Sequence, residues 1–551
     1  MYFTLAVSAA TRRACAVLTD AAEGTDPRVM PIPGPARVVW RAPDERAAVL
    51  HWGEGHRAGA SHAGTIWAEG ATVRARTSLT RVDPVYLAEV AGAVVVSDRA
   101  CWAAAVTGRL HDPDPVMIGA FLSLGYPVGG ATPFRGVRAL GGDQALRAAG
   151  GRLAVTRRRP EEEGPGGAAR VAAARVAAAR VAAALAEAVR PLGEAAAPVE
   201  LSLTGGKDSR LIAAALTAAR VPFLARTHGF GSHPDVLVAG LIASRLGLEH
   251  TITEPRPPGA PDEEDVVGRI RAAVLVSDGM LSAFENVGRP DPPLTGGPVT
   301  AGGHGGELLR GGYAQAAWRS PAVLGAATAA ELFRRMTTRR LSLLRPGPAR
   351  AYLASLAPSA AALARGPMAE LDDFYLVNRA GRWSAAARQA YLLRSPLVQP
   401  LFADSVVRAA RAVPLPHRMS DRLHRDVLGL LCPELLGLPL AGTPWHGEPR
   451  TPATVLTVPP GPAAGDWRRD YGGALARFLR GYVLDHGAAS PMFGIVPRQA
   501  AERSLRSPQA DPHAVWALAT LAALLSGDWL NAREPASQAL ASRPPLSRGR
   551  T

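Results

Sequence analysis

The string Leu201-Ser202-Leu203-Thr204-Gly205-Gly206-Lys207-Asp208-Ser209-Arg210 carries the strongest chemical signal in the chain. An apolar strand ends, two glycines turn the backbone, and a helix opens on Asp and Ser. Glycines let backbone N–H groups approach an anion closely. The helix N-terminus adds partial positive charge at the same point. Lys207 can neutralise phosphate charge, Asp208 can hold a magnesium ion, and Ser209 offers a hydroxyl to a phosphate oxygen. The G-x-x-x-x-G-K-[ST] spacing is absent, so this is not a Walker-type loop. A second glycine turn, Ala301-Gly302-Gly303-His304-Gly305-Gly306-Glu307-Leu308-Leu309-Arg310-Gly311-Gly312-Tyr313, also follows a strand and precedes a helix. His304 suits proton removal at neutral pH, and Glu307 puts a carboxylate in the same turn. Asp372 and Asp373, in ELDDFYLVNRAGRW, are acids that either orient His304, hold a substrate amine, or face solvent on a helix.

Lysine usage sharpens the first turn. The chain has 62 basic residues, and Lys207 is the only lysine among them. Arg replaces Lys readily on a surface, but not where a compact ammonium must fit a narrow phosphate site.

The elements that would position these groups follow from patterning. Short β-type runs, Phe3 to Val7, Val38 to Trp40, Ala48 to Trp52, Thr65 to Ala68, Ala93 to Val96 and Leu153 to Val155, predict a mixed sheet unit over residues 1–156. Ala145–Arg147 and Leu153–Thr156 around Gly150-Gly151 predict its closing hairpin. Residues 157–167, RRRPEEEGPGG, read as a linker. The alanine-dominated segment Ala168 to Val189 predicts a helix. From Val199 the texture becomes β-α alternation: strands at Val199–Leu203, Val221–Arg226, His250–Thr253 and Pro298–Ala301, helices at Ser209–Ala219 and Pro234–Leu246. That order predicts a parallel sheet with helices on both faces, within a unit spanning 168–533. Residues 325–529 read as mostly helical, and 534–551 as a flexible tail.

Composition limits the function classes. The net charge is +15, but Arg is spread along the chain and mixed with acids. The aromatic interleaving of a single-strand binder is missing, so nucleic acid is not expected. Cys15, Cys101 and Cys432 are too few and too scattered for a disulfide framework or zinc cluster. With no signal-peptide pattern and no apolar stretch of membrane-spanning length, a cytoplasmic setting is expected. The apolar stretch Val515 to Leu525 reads as a last buried helix.

The two turns, in this order, carry a resemblance. The first resembles the SGG-x-DS pyrophosphatase loop of ATP-dependent adenylating enzymes, with Thr204 keeping the hydroxyl of the first Ser. The second is similar to the SG-x-G-x-DE-L-F-GGY segment of the asparagine synthetase family, matched at Gly303, Gly305, Glu307, Gly311, Gly312 and Tyr313. Further likeness lies in Thr227-His228-Gly229-Phe230 with Asp235, in Leu246-Gly247-Leu248-Glu249-His250, and in Ser395-Pro396-Leu397-Val398-Gln399-Pro400-Leu401-Phe402-Ala403-Asp404. Val96-Ser97-Asp98-Arg99 and Ala139-Leu140-Gly141-Gly142 look like the family's glutaminase unit. The resemblance implies an α/β fold: a parallel-sheet ATP-pyrophosphatase domain after a mixed α+β glutaminase-like domain. It also implies ATP and Mg2+. Ser202, Leu203, Thr204, Gly205, Gly206, Lys207, Asp208, Ser209, Thr227, Gly303 and Gly305 are then the expected nucleotide contacts. Asp208 is the expected metal ligand, and His304, Glu307 and Asp372 are the candidate catalytic residues.

The chain departs from the family at three places. The glutaminase cysteine at the mature N-terminus is missing, since the chain starts Met1-Tyr2-Phe3. The first unit is then structural or a docking surface. Gly306 stands where the family has a magnesium-binding Asp. The family's late lysine, expected near Leu440-Ala441-Gly442-Thr443, has no counterpart. Loss of the glutaminase with an intact first loop points to enzymes that activate a carboxylate and let an amine of the same molecule attack. The turns, the Asp372-to-Trp383 segment, the Leu438-to-Trp445 segment and Trp516…Gly527-Asp528-Trp529-Leu530 look most like lasso peptide macrocyclases. That implies a precursor peptide, a leader-binding protein and a leader peptidase as partners. A β-lactam-synthetase-like enzyme and a catalytically dead synthetase fold are the alternatives.

Overall fold

The computed structural model describes the strands of the first 71 residues by their backbone. It then describes residues 72–90, 93–142, 144–149, 152–157, 170–195, 198–254, 262–285, 298–318, 326–363, 367–392, 397–457, 468–469, 472–486, 488 and 490–531. Residues 158–167 of the expected linker, the expected tail, and Ser395 and Pro396 lie outside these. Arg157 ends a strand rather than starting a linker.

Eleven strands lie before residue 158 among the described residues: β1 (Phe3–Ser8), β2 (Ala14–Leu18), β3 (Val38–Arg41), β4 (Ala48–Trp52), β5 (Gly64–Glu69), β6 (Thr72–Arg76), β7 (Tyr86–Val90), β8 (Ala93–Ser97), β9 (Val137–Ala139), β10 (Gln144–Ala149) and β11 (Arg152–Arg157). They form two antiparallel sheets, β3-β2-β1-β8-β7-β9 and β11-β10-β6-β5-β4. The closing hairpin is β10–β11, with Ala149 opposite Arg152. Two helices sit among these strands, α1 (Ala100–Val106) and α2 (Pro115–Leu124). The Asp114 carboxylate accepts from the N–H groups of Val116 and Met117, and Pro115 takes the first helical position. Both features favour a helix start. Gly125, at φ 86°, ends α2 in the left-handed region.

After α3 (Arg170–Val189) come β12 (Val199–Ser202), α4 (Lys207–Ala218), β13 (Phe223–His228), α5 (Pro234–Leu246), β14 (His250–Thr253), α6 (Glu263–Ser277) and β15 (Thr300–Ala301). Then follow α7 (Gly306–Leu309), α8 (Gly312–Trp318), α9 (Ala326–Thr338), α10 (Pro346–Leu363), α11 (Pro367–Phe374), a π-helix at Tyr375–Ser384, α12 (Ala385–Leu392) and β16 (Leu397–Val398). β12 to β16 make one parallel sheet in the order β14-β13-β12-β15-β16. The connection order reverses between β12 and β15. In open parallel sheets, that reversal leaves a crevice at the carboxyl ends of the two central strands. Both glycine turns leave from those ends.

The remaining helices are α13 (Asp404–Arg411), α14 (Leu415–Met419), α15 (Arg422–Leu431), α16 (Gly473–Gly481), α17 (Arg498–Arg506) and α18 (Pro512–Ser526). The core has two parts. One packs α3, α4, α5, α13 and α15 around the parallel sheet. The other joins α1 and α2 to α6, α9, α10, α16 and α18 in a single buried cluster. The N-terminal unit is therefore fused to the helical region rather than set apart. Buried ion pairs cross the same junction, Arg99 to Asp278 and Arg388 to Asp83.

Candidate active site

The first turn is tied in place by its own side chains. The Thr204 N–H donates to Ser209 Oγ at 3.0 Å, and Ser209 Oγ donates to the Thr204 carbonyl at 3.1 Å. Gly205 has no room for a side chain: a Cβ would lie 2.5 Å from the Ala441 Cβ and 2.8 Å from the Val238 Cβ. Its N–H donates to Asp235 Oδ1 at 3.1 Å, and its carbonyl accepts from the Ala441 N–H.

The second turn lies directly against the first. A Cβ on Gly303 would stand 2.6 Å from the Ser209 amide nitrogen. Gly305, at φ 100°, packs under the Phe402 ring. A Cβ on Gly306 would overlap the Asp208 carboxyl. Any side chain at 306 would therefore require Asp208 to move.

The two turns open on one cleft of about 490 Å³. Ser202, Thr204, Asp208 and Ser209 line it from the first turn. Gly303, His304, Gly305 and Glu307 line it from the second. Tyr375, Arg379, Trp383 and Ser384 of the π-helix close the far side with Tyr391. These π-helix residues, missed from sequence, recur about one turn apart on one face. Runs of π-helix are rare and concentrate at functional sites.

Burial pushes the Asp208 carboxyl up to about 6, with Glu307 adding to the rise and Arg310 and Lys207 opposing it. Arg310 Nη2 donates to Asp208 Oδ2 at 2.7 Å. Asp208 Oδ1 is buried without a hydrogen-bond partner, and His424 Nε2 stands 3.6 Å away. An unsatisfied buried carboxylate oxygen is costly and fits a bound cation. Magnesium keeps several waters and takes phosphate oxygens, so a single carboxylate can suffice as its protein ligand. Among the described residues no group of three or more His, Cys, Asp or Glu forms a full metal cage. Desolvation holds the His304 imidazole below its ordinary value, partly offset by Glu307. Burial and the Glu307 carboxylate push the Tyr375 phenol up.

Several expected contacts lie elsewhere. Lys207 is buried away from the cleft lining. Its Nζ donates to Asp421 Oδ2 at 2.6 Å and to the Pro444 carbonyl at 3.0 Å, and lies 4.9 Å from the centre of the Trp445 ring. It therefore reaches the segment where the resemblance expects the late lysine. Leu203 is fully buried, its N–H given to the Arg226 carbonyl and its own carbonyl accepting from Thr227 Oγ1. Thr227 is a strand tie, also 2.8 Å from His250 Nε2. Gly205 and Gly206 shape the turn without lining the cleft. Asp372 is not a cleft acid. It is buried, accepts from Arg418 at 3.1 and 2.7 Å and from Arg411 at 3.2 Å, and Arg418 also donates to the Leu308 carbonyl. It braces α7 from behind.

The N-terminal unit also reaches this site. The Gly129 N–H donates to Asn378 Oδ1 at 2.7 Å, and Arg81 binds the carbonyls of Gly129 and Val377. Arg382 donates to the Ala131 carbonyl at 2.5 Å. Residues 81–131 thus grip the π-helix that walls the cleft.

Residues 180–452 match the family described as asparagine synthase. The match, with the five-stranded parallel sheet, supports placing this part of the chain in that family. Such domains generally carry out ATP-dependent amide-bond formation, for which magnesium is generally required. No curated protein matches the chain significantly. No helix among the described residues is long and apolar enough to cross a membrane.

Proposed function

We propose that the chain is an ATP-dependent macrocyclase acting on a precursor peptide, as in lasso peptide biosynthesis. The observation that carries the ligase reading is the meeting of both glycine turns in one cleft that also holds Asp208, His304 and Glu307. The peptide reading rests on the sequence likeness.

In this reaction an Asp or Glu side-chain carboxylate of the peptide attacks the α-phosphorus of ATP. A carboxylate O–P bond forms, the bond to the bridging oxygen breaks, and pyrophosphate leaves with that electron pair. The peptide's N-terminal amine then attacks the activated carbonyl carbon. A C–N bond forms, AMP leaves with the C–O pair, and the amine proton passes to His304. The products are an isopeptide ring, AMP and pyrophosphate. Magnesium, when bound, neutralises phosphate charge. Asp208 would hold it, Ser209 would turn its hydroxyl from the Thr204 carbonyl to a phosphate oxygen, Thr204 adds a second hydroxyl, and the π-helix wall limits water. Most of the acceleration comes from holding two distant groups of one chain together. The setting is the cytoplasm, and the partners are a leader-binding protein and a leader peptidase.

A smaller substrate, as for a β-lactam-synthetase-like enzyme, is the second reading. The cleft volume favours it, since about 490 Å³ lies within the range of small-molecule sites. A catalytically dead binding protein is the third, and the absent Asp at 306 favours it. Purified protein with Mg-ATP and a library of Asp- or Glu-containing peptides tests all three. A cyclase removes one water from the peptide and makes AMP in equal amount. ADP as product sinks the mechanism, turnover of small amino acids alone favours the second reading, and no nucleotide binding favours the third.

A further inference from the structure

Arg379 is the only Arg or Lys among the described residues lining the cleft. Its guanidinium carbon lies 3.5 Å from the centre of the Trp383 ring and 5.7 Å from that of Tyr126. Aromatic neighbours hold a guanidinium over their faces and leave its N–H donors free at the edge. No carboxylate pairs with Arg379 among the described residues, whereas Arg310 and Lys207 are committed to Asp208 and Asp421. The Trp383 Nε1–H beside it is buried with no acceptor, a donor whose loss of solvent nothing repays.

Asp208 and Glu307 are the acids among the described residues lining the cleft, and they repel an incoming carboxylate. A carboxylate that must approach the nucleotide therefore needs a cation of its own. An Arg with free edge donors is suited to bind one in two-point fashion.

We infer that Arg379, seated on Trp383, is the specificity residue that anchors the carboxylate of the acyl donor at the π-helix wall of the cleft. This rests on the ligase reading above. It adds what that reading leaves open: the cation that admits the acid and excludes its neutral amide. Trp383 holds the guanidinium, and the N-terminal unit holds the π-helix through Arg81, Asn378 and Arg382.

The test uses full-length protein and two probes, N-acetylglutamate N-methylamide and its neutral counterpart N-acetylglutamine N-methylamide. Binding of each is measured by ligand-observed NMR, with and without magnesium and α,β-methylene-ATP. Wild type is expected to prefer the acid by about tenfold, the worth of one charge-assisted hydrogen-bond pair. Arg379→Gln is expected to abolish that preference and leave nucleotide affinity within about twofold. Arg379→Lys keeps the charge without the fork and is expected to retain part of it. Thermal unfolding of both variants shows that the fold persists. Should Arg379→Gln unfold, Arg379→Lys against wild type decides, and an unreduced preference overturns the proposal. So does an acid preference that survives Arg379→Gln, one absent from wild type, or a loss confined to the nucleotide, which makes Arg379 a phosphate contact. Failure of wild type to bind nucleotide counts against the ligase reading instead, and the probes alone then judge Arg379.

Discussion

The ammonium of Lys207 lies 2.6 Å from Asp421 Oδ2, with both side chains buried. Gln315 Nε2 donates to the other Asp421 oxygen at 2.7 Å, and the His446 N–H donates to the first at 3.2 Å. The only lysine of the chain is thus a bolt between the first glycine turn and the 438–446 segment. Arg210 fastens the same segment by donating to the Leu435 and Leu438 carbonyls. Lys207→Met leaves a carboxylate buried without its cation, and breaking such a pair costs about 3–5 kcal/mol. Lys207→Met with Asp421→Leu removes both charges, and most of that loss is expected to return. Chemical denaturation of the two single variants and the double variant checks this. A double variant no more stable than Lys207→Met would show that the pair does not act as a unit.

Gly306→Ala is the smallest change at the second turn and places a carbon on the Asp208 carboxyl. Asp208 must then leave its position beside Arg310, and its magnesium role goes with it. Mg-ATP affinity is expected to fall at least about tenfold, while nucleotide binding without magnesium changes little. Calorimetry with and without the metal separates these. An unchanged Mg-ATP affinity would remove Asp208 from the metal site.

The fold of residues 199–301 was legible because its local signals agree. The helix read as Pro234–Leu246 has those bounds, started by Pro234 and ended by Gly247 at φ 64°. β16 was read only as a family echo. It has two residues, too few for any period to show. In the first unit, β6 carries Arg74 and Arg76 on alternate positions around the buried Ala75, and these charges mask its strand pattern. For the site, the turns were legible because glycine, Asp and Ser have local meaning there. Asp372, Thr227 and Lys207 lie off the cleft lining, which is not legible because sequence gives a residue's type but not which way its side chain faces. Arg379 and Trp383 carry no local signal in sequence, because the π-helix that turns them to the cleft is set by packing.

Asp372 is a bracing residue, and its variant separates bracing from chemistry. Asp372→Asn leaves Arg418 and Arg411 facing an uncharged amide inside the protein. The expected loss is about 3–5 kcal/mol of stability, read as a lower melting temperature. Near the folded enzyme's working range, kcat per folded molecule is expected to fall less than about tenfold, because the residue is buried off the cleft lining. A drop of a thousandfold with an unchanged melting temperature would return Asp372 to the catalytic set.

With His304 as the proposed base, the aminolysis step acquires a pH dependence from its imidazole. The base must be neutral, and desolvation lowers the imidazole from its ordinary 6.5, with Glu307 pulling it up and Arg379 pushing it down. The peptide's own α-amine must also be neutral to attack, so the rate should fall about tenfold per pH unit below that amine's pKa of about 8. It should steepen by a further tenfold per unit on the acid side of a second midpoint, that of His304, below 6.5. Removing Arg379 takes away a repelling cation, so Arg379→Gln should move the lower midpoint up. Glu307→Gln should move it down. His304→Gln should cost about 10²–10⁴ in rate and remove the lower midpoint, leaving only the limb of the substrate amine. AMP formation from peptide, followed from pH 5 to 8 in the four proteins, provides the profiles. A lower midpoint that survives in His304→Gln at its wild-type position would assign the proton to another group.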